Sequence, residues 1–211
     1  MANKSRKLER RLHIICEGAK TEPMYLQGYI DEFASEKARL ISIPDVKYNT
    51  PIALVRAAIR LKESDATSDE DEIWVVYDRE AVSKYPHTLH REAWELAHSQ
   101  SINVVLSNIC FELWLLQHFS FNSAPYSCFD DLKKNSSLKA DLLKIGIKNY
   151  DKADKKLYGK IKKGIPNARA RAKALNKQSF AAAPLNANKP FQLSCYTNVN
   201  ELLDAIDEFT P

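Results

Sequence analysis

The chain has 211 residues and a formal net charge of +4, with 45% hydrophobic and 27% charged residues, a composition that excludes wholesale disorder. No apolar run approaches the roughly 20 residues that a membrane-spanning helix needs, and the basic residues 1–11 are followed by no signal-like apolar core. We therefore expect a soluble, cytoplasmic protein with no membrane partner.

The first 120 residues alternate short apolar runs with stretches that have apolar residues at helical spacing. This alternation predicts an α/β fold in which helices cover both faces of a parallel sheet. Thr21 is predicted to cap the helix after the first strand, and Thr50 and Pro51 open the helix after the second. In chain order the predicted strands are residues 12–16, 40–43, 73–77 and 102–106.

Residues 121–211 are predicted to be a basic, mainly helical region packed on an α/β domain of residues 1–120, with a closing amphipathic helix over residues 199–209. Between residues 131 and 180, thirteen lysines and two arginines against four aspartates give a net charge of +11, which leaves −7 for the rest of the chain. Such a separation of charge favours a surface that binds nucleic acid, DNA or RNA, although a lysine-rich solvated face is the alternative. Tyr150 and Tyr158 would stack on bases or anchor helices. The residues predicted to contact nucleic acid are Lys155, Lys156, Lys160, Lys162, Lys163, Arg169 and Arg171.

Acidic residues directly follow two of the predicted strands. Glu17 comes after the first strand, and Asp78 and Glu80 come after the third. Because the carboxyl ends of parallel strands meet at one edge of the sheet, we expect these acids to lie together there and to need a cation against their mutual repulsion. Carboxylate oxygens suit Mg²⁺ or Mn²⁺, and Mg²⁺ typically acts on phosphates. A single acid at such a position often caps the next helix, but the joint placement favours a metal site.

Glu112 lies in an otherwise apolar helical stretch after the fourth predicted strand. A carboxylate in these surroundings needs a partner. The sequence leaves two alternatives open, a buried basic residue or the metal ion.

Several sequence blocks together resemble the RloB family. They are Cys-Glu-Gly-x-Lys-Thr-Glu-Pro-x-Tyr at residues 16–25, a strand that ends in Asp-x-acid at 78–80, Asn-x-Cys-Phe-Glu-Leu-Trp-Leu-Leu-x-His-Phe at 108–119, and Tyr-Thr-Asn-Val at 196–199. The resemblance covers nearly the whole chain and implies a Toprim-like fold, as in topoisomerases, primases and OLD-type nucleases. The Toprim motif pairs a Glu after the first strand with Asp-x-Asp after a later one, which implies metal-binding roles for Glu17, Asp78 and Glu80. The chain departs from this pattern in having Glu80 instead of Asp, and Ile109 where the family usually has proline.

Members of the family occur near restriction–modification and abortive-infection genes, so the resemblance implies a Mg²⁺- or Mn²⁺-dependent nuclease in antiphage defence. Glu17 would bind metal or assist proton transfer, Asp78 would bind metal and Glu80 would support it. Lys20 would offset charge on the scissile phosphate, and Glu112 is a further catalytic candidate. The family also implies an ABC-type ATPase partner, and the sequence has no phosphate-binding loop motif of its own. The alternative is a non-catalytic Toprim-like module that binds nucleic acid or the ATPase.

Overall fold

The computed structural model describes residues 9–210. The strands of this part of the chain are β1 (Leu12–Cys16), β2 (Ile41–Ser42), β3 (Glu72–Asp78), β4 (Asn103–Asn108) and β5 (Tyr196–Thr197). They form one sheet in the order β2–β1–β3–β4–β5, in which the first four strands pair in parallel and β5 runs antiparallel to β4. The predicted α/β sheet is confirmed, and the arrangement is consistent with a Toprim-like fold.

Of the two helix starts predicted from the sequence, the one at Thr50 and Pro51 is confirmed and the cap at Thr21 is not. Within residues 9–210 the helices are α1 (Thr21–Phe33), α2 (Pro51–Lys62), α3 (His87–Ser99), α4 (Glu112–Phe119), α5 (Phe129–Asn135), α6 (Leu138–Lys144), α7 (Leu157–Ile161), α8 (Ile165–Ala182) and α9 (Val199–Glu208). The Thr50 hydroxyl caps α2 by accepting a hydrogen bond from the Ala53 amide at 3.4 Å. The predicted cap at Thr21 is wrong, because α1 begins at Thr21 itself, behind Lys20, and the Thr21 hydroxyl donates to the Lys152 carbonyl at 3.1 Å.

The two faces of the sheet are buried under different helices. Trp74 and Val76 of β3 belong to one apolar core that also contains residues of α1, α4, α8 and α9. Ile73, Val75 and Tyr77 of the same strand belong to a second core with residues of α2 and α3. Because neighbouring side chains of a strand point to opposite faces, helices cover both sides of the sheet, as predicted.

β5 closes the sheet beside β4 and was not predicted from the sequence. Its two residues pair with Ser107 and Asn108. Asn198, just after β5, accepts a hydrogen bond from the Leu106 amide at 2.8 Å and donates to the Val104 carbonyl at 3.0 Å. Two residues are too few to show an alternating pattern, so the sequence carries no strand signal at this point.

The residues after 120 pack directly on the sheet. The core that contains Trp114 of α4 also contains Leu175 of α8 and Leu202 of α9, and α9 confirms the predicted closing helix. The division of the chain at residue 120 into two units stays a prediction. Within residues 9–210, none of the helices combines the length and the apolar character that crossing a bilayer requires.

Candidate metal centre

The carboxyl ends of β1 and β3 bring Glu17 and Asp78 together. The two strands pair in parallel with Cys16 opposite Val76, and the Glu17 amide continues the pairing by donating to the Val76 carbonyl at 2.9 Å. The Asp78 amide in turn donates to the Glu17 Oε2 atom at 3.2 Å. These two predicted residues therefore lie side by side at one edge of the sheet.

Two further carboxylates, from the starts of helices, join this edge. Glu112 is the first residue of α4, and Glu22 lies in the first turn of α1. Glu112 is 0% exposed, Glu22 is 7% exposed and Asp78 is 6% exposed. A helix N-terminus favours negative charge, which helps to hold the two glutamates. We name Glu17, Glu22, Asp78 and Glu112 the carboxylate cluster.

The carboxylate cluster is short of positive charge. Burial raises the pKa of Asp78 well above its ordinary value, and the charges of Glu22, Glu112 and Glu17 raise it further. Burial, reinforced by the charge of Glu112, raises the pKa of Glu22 to about 7. Burial is also the main cause of the raised pKa of Glu17. Buried acids that repel one another in this way bind protons more tightly than isolated surface acids do, and an added cation would relieve their repulsion.

Lys152 of the basic region supplies a cation to the carboxylate cluster. Its Nζ atom lies 3.4 Å from the Oε1 atom of Glu112 and 4.3 Å from the centre of the Phe129 ring. The Tyr150 hydroxyl donates to the same Glu112 oxygen at 2.8 Å. The other oxygen, Oε2, is buried and has no hydrogen-bond partner among residues 9–210. Of the two partners that the sequence left open for Glu112, a basic residue is therefore present on one carboxylate oxygen, while the other oxygen is buried without one.

Glu80 and Lys20 lie on the chain next to the cluster residues. Glu80 adopts a positive φ of 57°, and its carboxylate forms an ion pair with Lys84 at 2.7 Å. After burial, the negative charge of Glu80 also raises the pKa of Glu17. Lys20 is exposed in the turn between β1 and α1. The metal-binding role of Glu80 and the phosphate-binding role of Lys20 stay predictions.

The carboxylate cluster suits a hard divalent cation in its chemistry but not in its present side-chain spacing. Carboxylate oxygens are the ligands that Mg²⁺ and Mn²⁺ prefer, and the Glu112 Oε2 atom is unpaired within the described part of the chain. In that same part, however, no three His, Cys, Asp or Glu side chains are arranged to hold one ion. Burial lowers the pKa of Lys152, but the charges of Glu112, Asp78 and Glu22 outweigh this effect and raise it. The acids are thus arranged around an ammonium group.

A family model for RloB-like proteins matches residues 12–206. The chain belongs to the RloB-like protein family. The matched residues include the whole carboxylate cluster and Lys152, and the resemblance inferred from the motifs is confirmed. No curated protein and no solved structure matches the chain.

In this RloB-like protein, the seven basic residues predicted to bind nucleic acid fall into two groups. Lys155, Lys156 and Lys163 are exposed, and their charges are open to a ligand. The other four are engaged within the protein: Lys160 donates to the Ile145 carbonyl, Lys162 pairs with Glu32, Arg169 pairs with Asp204 and Asp207, and Arg171 donates to the Gln117 carbonyl. The three exposed lysines are therefore the strongest candidates for contacts with phosphate.

The site also contains three residues whose membership was not predicted from the sequence: Glu22, Lys152 and Tyr150. Glu22 begins a helix, where an acid is ordinary, and Lys152 is one of thirteen lysines in a basic stretch. The available signal was the position of Glu22 inside the RloB-like block at residues 16–25. Tyr158, the other aromatic residue considered for stacking, is buried and donates to Glu32 at 3.0 Å, so it anchors α7.

Proposed function

We propose that this RloB-like protein is a nuclease that hydrolyses nucleic-acid phosphodiesters with Mg²⁺ or Mn²⁺, in antiphage defence through abortive infection or linked to restriction. The observation that carries the proposal is Glu112, a fully buried carboxylate beside three other acids, whose Oε2 atom has no partner among residues 9–210. A buried and unpaired carboxylate oxygen is costly unless a ligand uses it. Membership of the RloB-like family supports the same assignment.

Each residue of the carboxylate cluster would have its own role in binding the metal ion. Glu17, Asp78 and the Oε2 atom of Glu112 would hold the ion once their side chains turn towards one point, which they do not share in the metal-free protein, while Glu22 adds negative charge beside them. A bound Mg²⁺ would polarise the phosphate and lower the pKa of a bound water. The hydrogen bond from the Asp78 amide orients the carboxylate of Glu17. Lys20, exposed in the turn after β1, would offset the negative charge of the phosphate.

A cleavage assay tests the proposal. Labelled single- and double-stranded DNA and RNA are incubated with the protein in Mg²⁺, Mn²⁺ or EDTA, with and without an ABC-type ATPase that co-purifies with it. We expect products with either ion and none with EDTA. If all of these substrates stayed intact under every condition, the proposed nuclease activity would be wrong.

The Lys152–Glu112 ion pair favours a second candidate function, a non-catalytic module that binds nucleic acid or a partner ATPase. An ammonium group held permanently at 3.4 Å from Glu112 would neutralise an acid that catalysis needs. Such a module would bind oligonucleotides equally in Mg²⁺ and in EDTA and would release no product. The cleavage assay therefore separates the two functions.

Charge reversal of the three exposed lysines should weaken nucleic-acid binding. The variant Lys155→Glu, Lys156→Glu, Lys163→Glu is expected to lose affinity for a single-stranded oligonucleotide, because these ammonium groups are open to phosphates. The slope of log affinity against log salt should become shallower by about 0.7 for each lost contact. Fluorescence anisotropy over a series of salt concentrations measures both quantities.

The matched control changes the same amount of charge outside the basic region. Arg11, Lys47 and Arg91 are exposed, and their reversal to Glu should leave the salt slope close to that of the unchanged protein. An equal loss of affinity in both variants would show that net charge alone, and no defined surface, attracts the nucleic acid.

An ABC-type ATPase is the proposed partner, because the RloB-like family implies one. The sequence has no phosphate-binding loop motif, so any dependence on ATP would come from the partner. We expect the isolated protein to release no phosphate from ATP and to co-purify with an ABC-type ATPase from its own cells. Phosphate release measured on the two proteins, separately and mixed, checks this expectation. ATP hydrolysis by the isolated protein would contradict it.

A further inference from the structure

Lys152 reaches the carboxylate cluster from residues 149–156, a segment with neither helix nor strand. Its side chain is 38% exposed, whereas the side chain of Glu112, its partner at 3.4 Å, is 0% exposed. Its backbone carbonyl accepts a hydrogen bond from the Thr21 hydroxyl at 3.1 Å, and its ammonium group lies over the Phe129 ring. A surface segment thus places a positive charge against an acid of the core.

A divalent cation would compete with Lys152 for the same carboxylate. The Oε1 atom of Glu112 already contacts the Lys152 ammonium group and accepts a hydrogen bond from Tyr150. A metal ion on the Oε2 atom would lie within a few ångströms of that ammonium group, where like charges repel strongly. The arrangement of the acids, which within residues 9–210 does not suit one ion, is the arrangement expected around an internal ammonium group.

The position of Lys152 also constrains the neighbouring segment. Tyr150 and Lys152 both contact Glu112, and the exposed Lys155 and Lys156 follow directly in the sequence. Loss of the Lys152–Glu112 contact would therefore loosen the part of the chain that carries two of the lysines open to phosphate.

We propose that Lys152 is an internal counter-ion that a divalent metal ion displaces, and that its displacement releases residues 149–156 from the edge of the sheet. The inference rests on the proposed metal-dependent function and adds to it an order of events. Metal binding comes first, and the freed ammonium groups of the segment then contact the phosphates of the nucleic acid. Lys152 acts in this scheme as a positioning residue for the segment.

Magnesium binding by Lys152→Met measures the competition. Methionine keeps the unbranched apolar part of the side chain and removes the charged ammonium group. Titration calorimetry at constant ionic strength should give a Mg²⁺ dissociation constant about tenfold lower than that of the unchanged protein, because no ammonium group has to leave Glu112. Lys139→Met, which removes the same charge from an exposed position outside this segment, should change the constant by about twofold or less because solvent screens it.

Unchanged or weaker Mg²⁺ binding by Lys152→Met would overturn the proposal. It would show that the ammonium group of Lys152 does not compete with the metal ion for Glu112.

Hydrogen exchange of the unchanged protein tests the release of the segment and needs no variant. Added Mg²⁺ is expected to speed amide exchange in residues 149–156, while exchange in β3 stays the same or slows. If exchange in residues 149–156 were unchanged or slower with Mg²⁺, the proposal would be wrong even if Lys152→Met failed to fold.

The two measurements separate this inference from the proposed nuclease activity. Release of the segment by Mg²⁺, without cleavage of any nucleic acid, would support the role of Lys152 as a displaceable counter-ion and would contradict the proposed nuclease activity. Mg²⁺-dependent cleavage without faster exchange in residues 149–156 would support the nuclease activity and contradict the release of the segment. Failure of the unchanged protein and of Lys152→Met to bind Mg²⁺ would overturn both.

Discussion

Asp78→Asn is expected to lower the rate of metal-dependent phosphodiester cleavage by about 100-fold or more, since even residues that only support a metal ligand cost about 10- to 100-fold when changed. Asp78 presents its carboxylate at the end of β3, where its amide also contacts Glu17. Asparagine keeps the shape of the side chain but lacks the negative charge that a hard cation prefers. Single-turnover cleavage at saturating Mg²⁺ measures the loss.

The same change should leave the protein folded. Burial and the charges of Glu22, Glu112 and Glu17 raise the pKa of Asp78, so a neutral amide relieves repulsion in the metal-free state. The melting temperature in EDTA should be equal or higher. Asp45→Asn, at an exposed position between β2 and α2, is the matched control and should alter neither quantity. A rate equal to that of the unchanged protein would remove Asp78 from the mechanism.

Glu22→Gln is expected to raise the free energy of unfolding at pH 8 by about 3 kcal/mol in EDTA. Burial, with the charge of Glu112, raises the pKa of Glu22 from 4.5 to about 7, so the folded state binds this proton more tightly than the unfolded state. The ionised form therefore destabilises the fold above pH 7. As the pH falls from about 7 towards 4.5, protonation of Glu22 stabilises the unchanged protein, and the advantage of glutamine should disappear.

Denaturant unfolding of both proteins between pH 4.5 and pH 8 measures this difference. Glu36→Gln changes an exposed glutamate after α1 and should follow the pH dependence of the unchanged protein. If Glu22→Gln lowered stability at pH 8, the glutamate would be making a favourable contact as an ion, and the repulsion within the carboxylate cluster would be smaller than its burial indicates.

The positions of Glu17 and Asp78 in the site could be predicted from the sequence, because they depend only on where each strand ends. Each directly follows an apolar run, and the ends of parallel strands meet at one edge of the sheet. The positions of Glu22 and Lys152 in the site could not be predicted in this way. The burial of Glu22 depends on how α1 packs against α4, and the contact between Lys152 and Glu112 joins residues forty positions apart. Among thirteen lysines in one stretch, only the tertiary structure distinguishes the one that turns inward.

In the fold, too, the features that depend on a short stretch of sequence were predicted correctly, and those that depend on contacts between distant residues were not. β1 (Leu12–Cys16) has the predicted bounds, and the predicted central strand at residues 73–77 lies within β3, because continuous apolar runs of this length are strong signals. The cap at Thr21 was wrong because its hydroxyl finds a partner in Lys152, far along the chain. The two residues of β5 are set by pairing with β4. Contacts across long sequence distances therefore account for the differences.

The covered edge of β4 has a consequence for shortened forms of the protein. A chain that ended after residue 195 would lose β5 and Asn198, which together satisfy the backbone groups of Ser107, Asn108 and Leu106. An uncovered strand edge is a template on which other chains pair and aggregate. Such a shortened chain would keep its parallel strands and still associate with copies of itself, so residues 196–210 protect the protein against aggregation as well as contributing to its core.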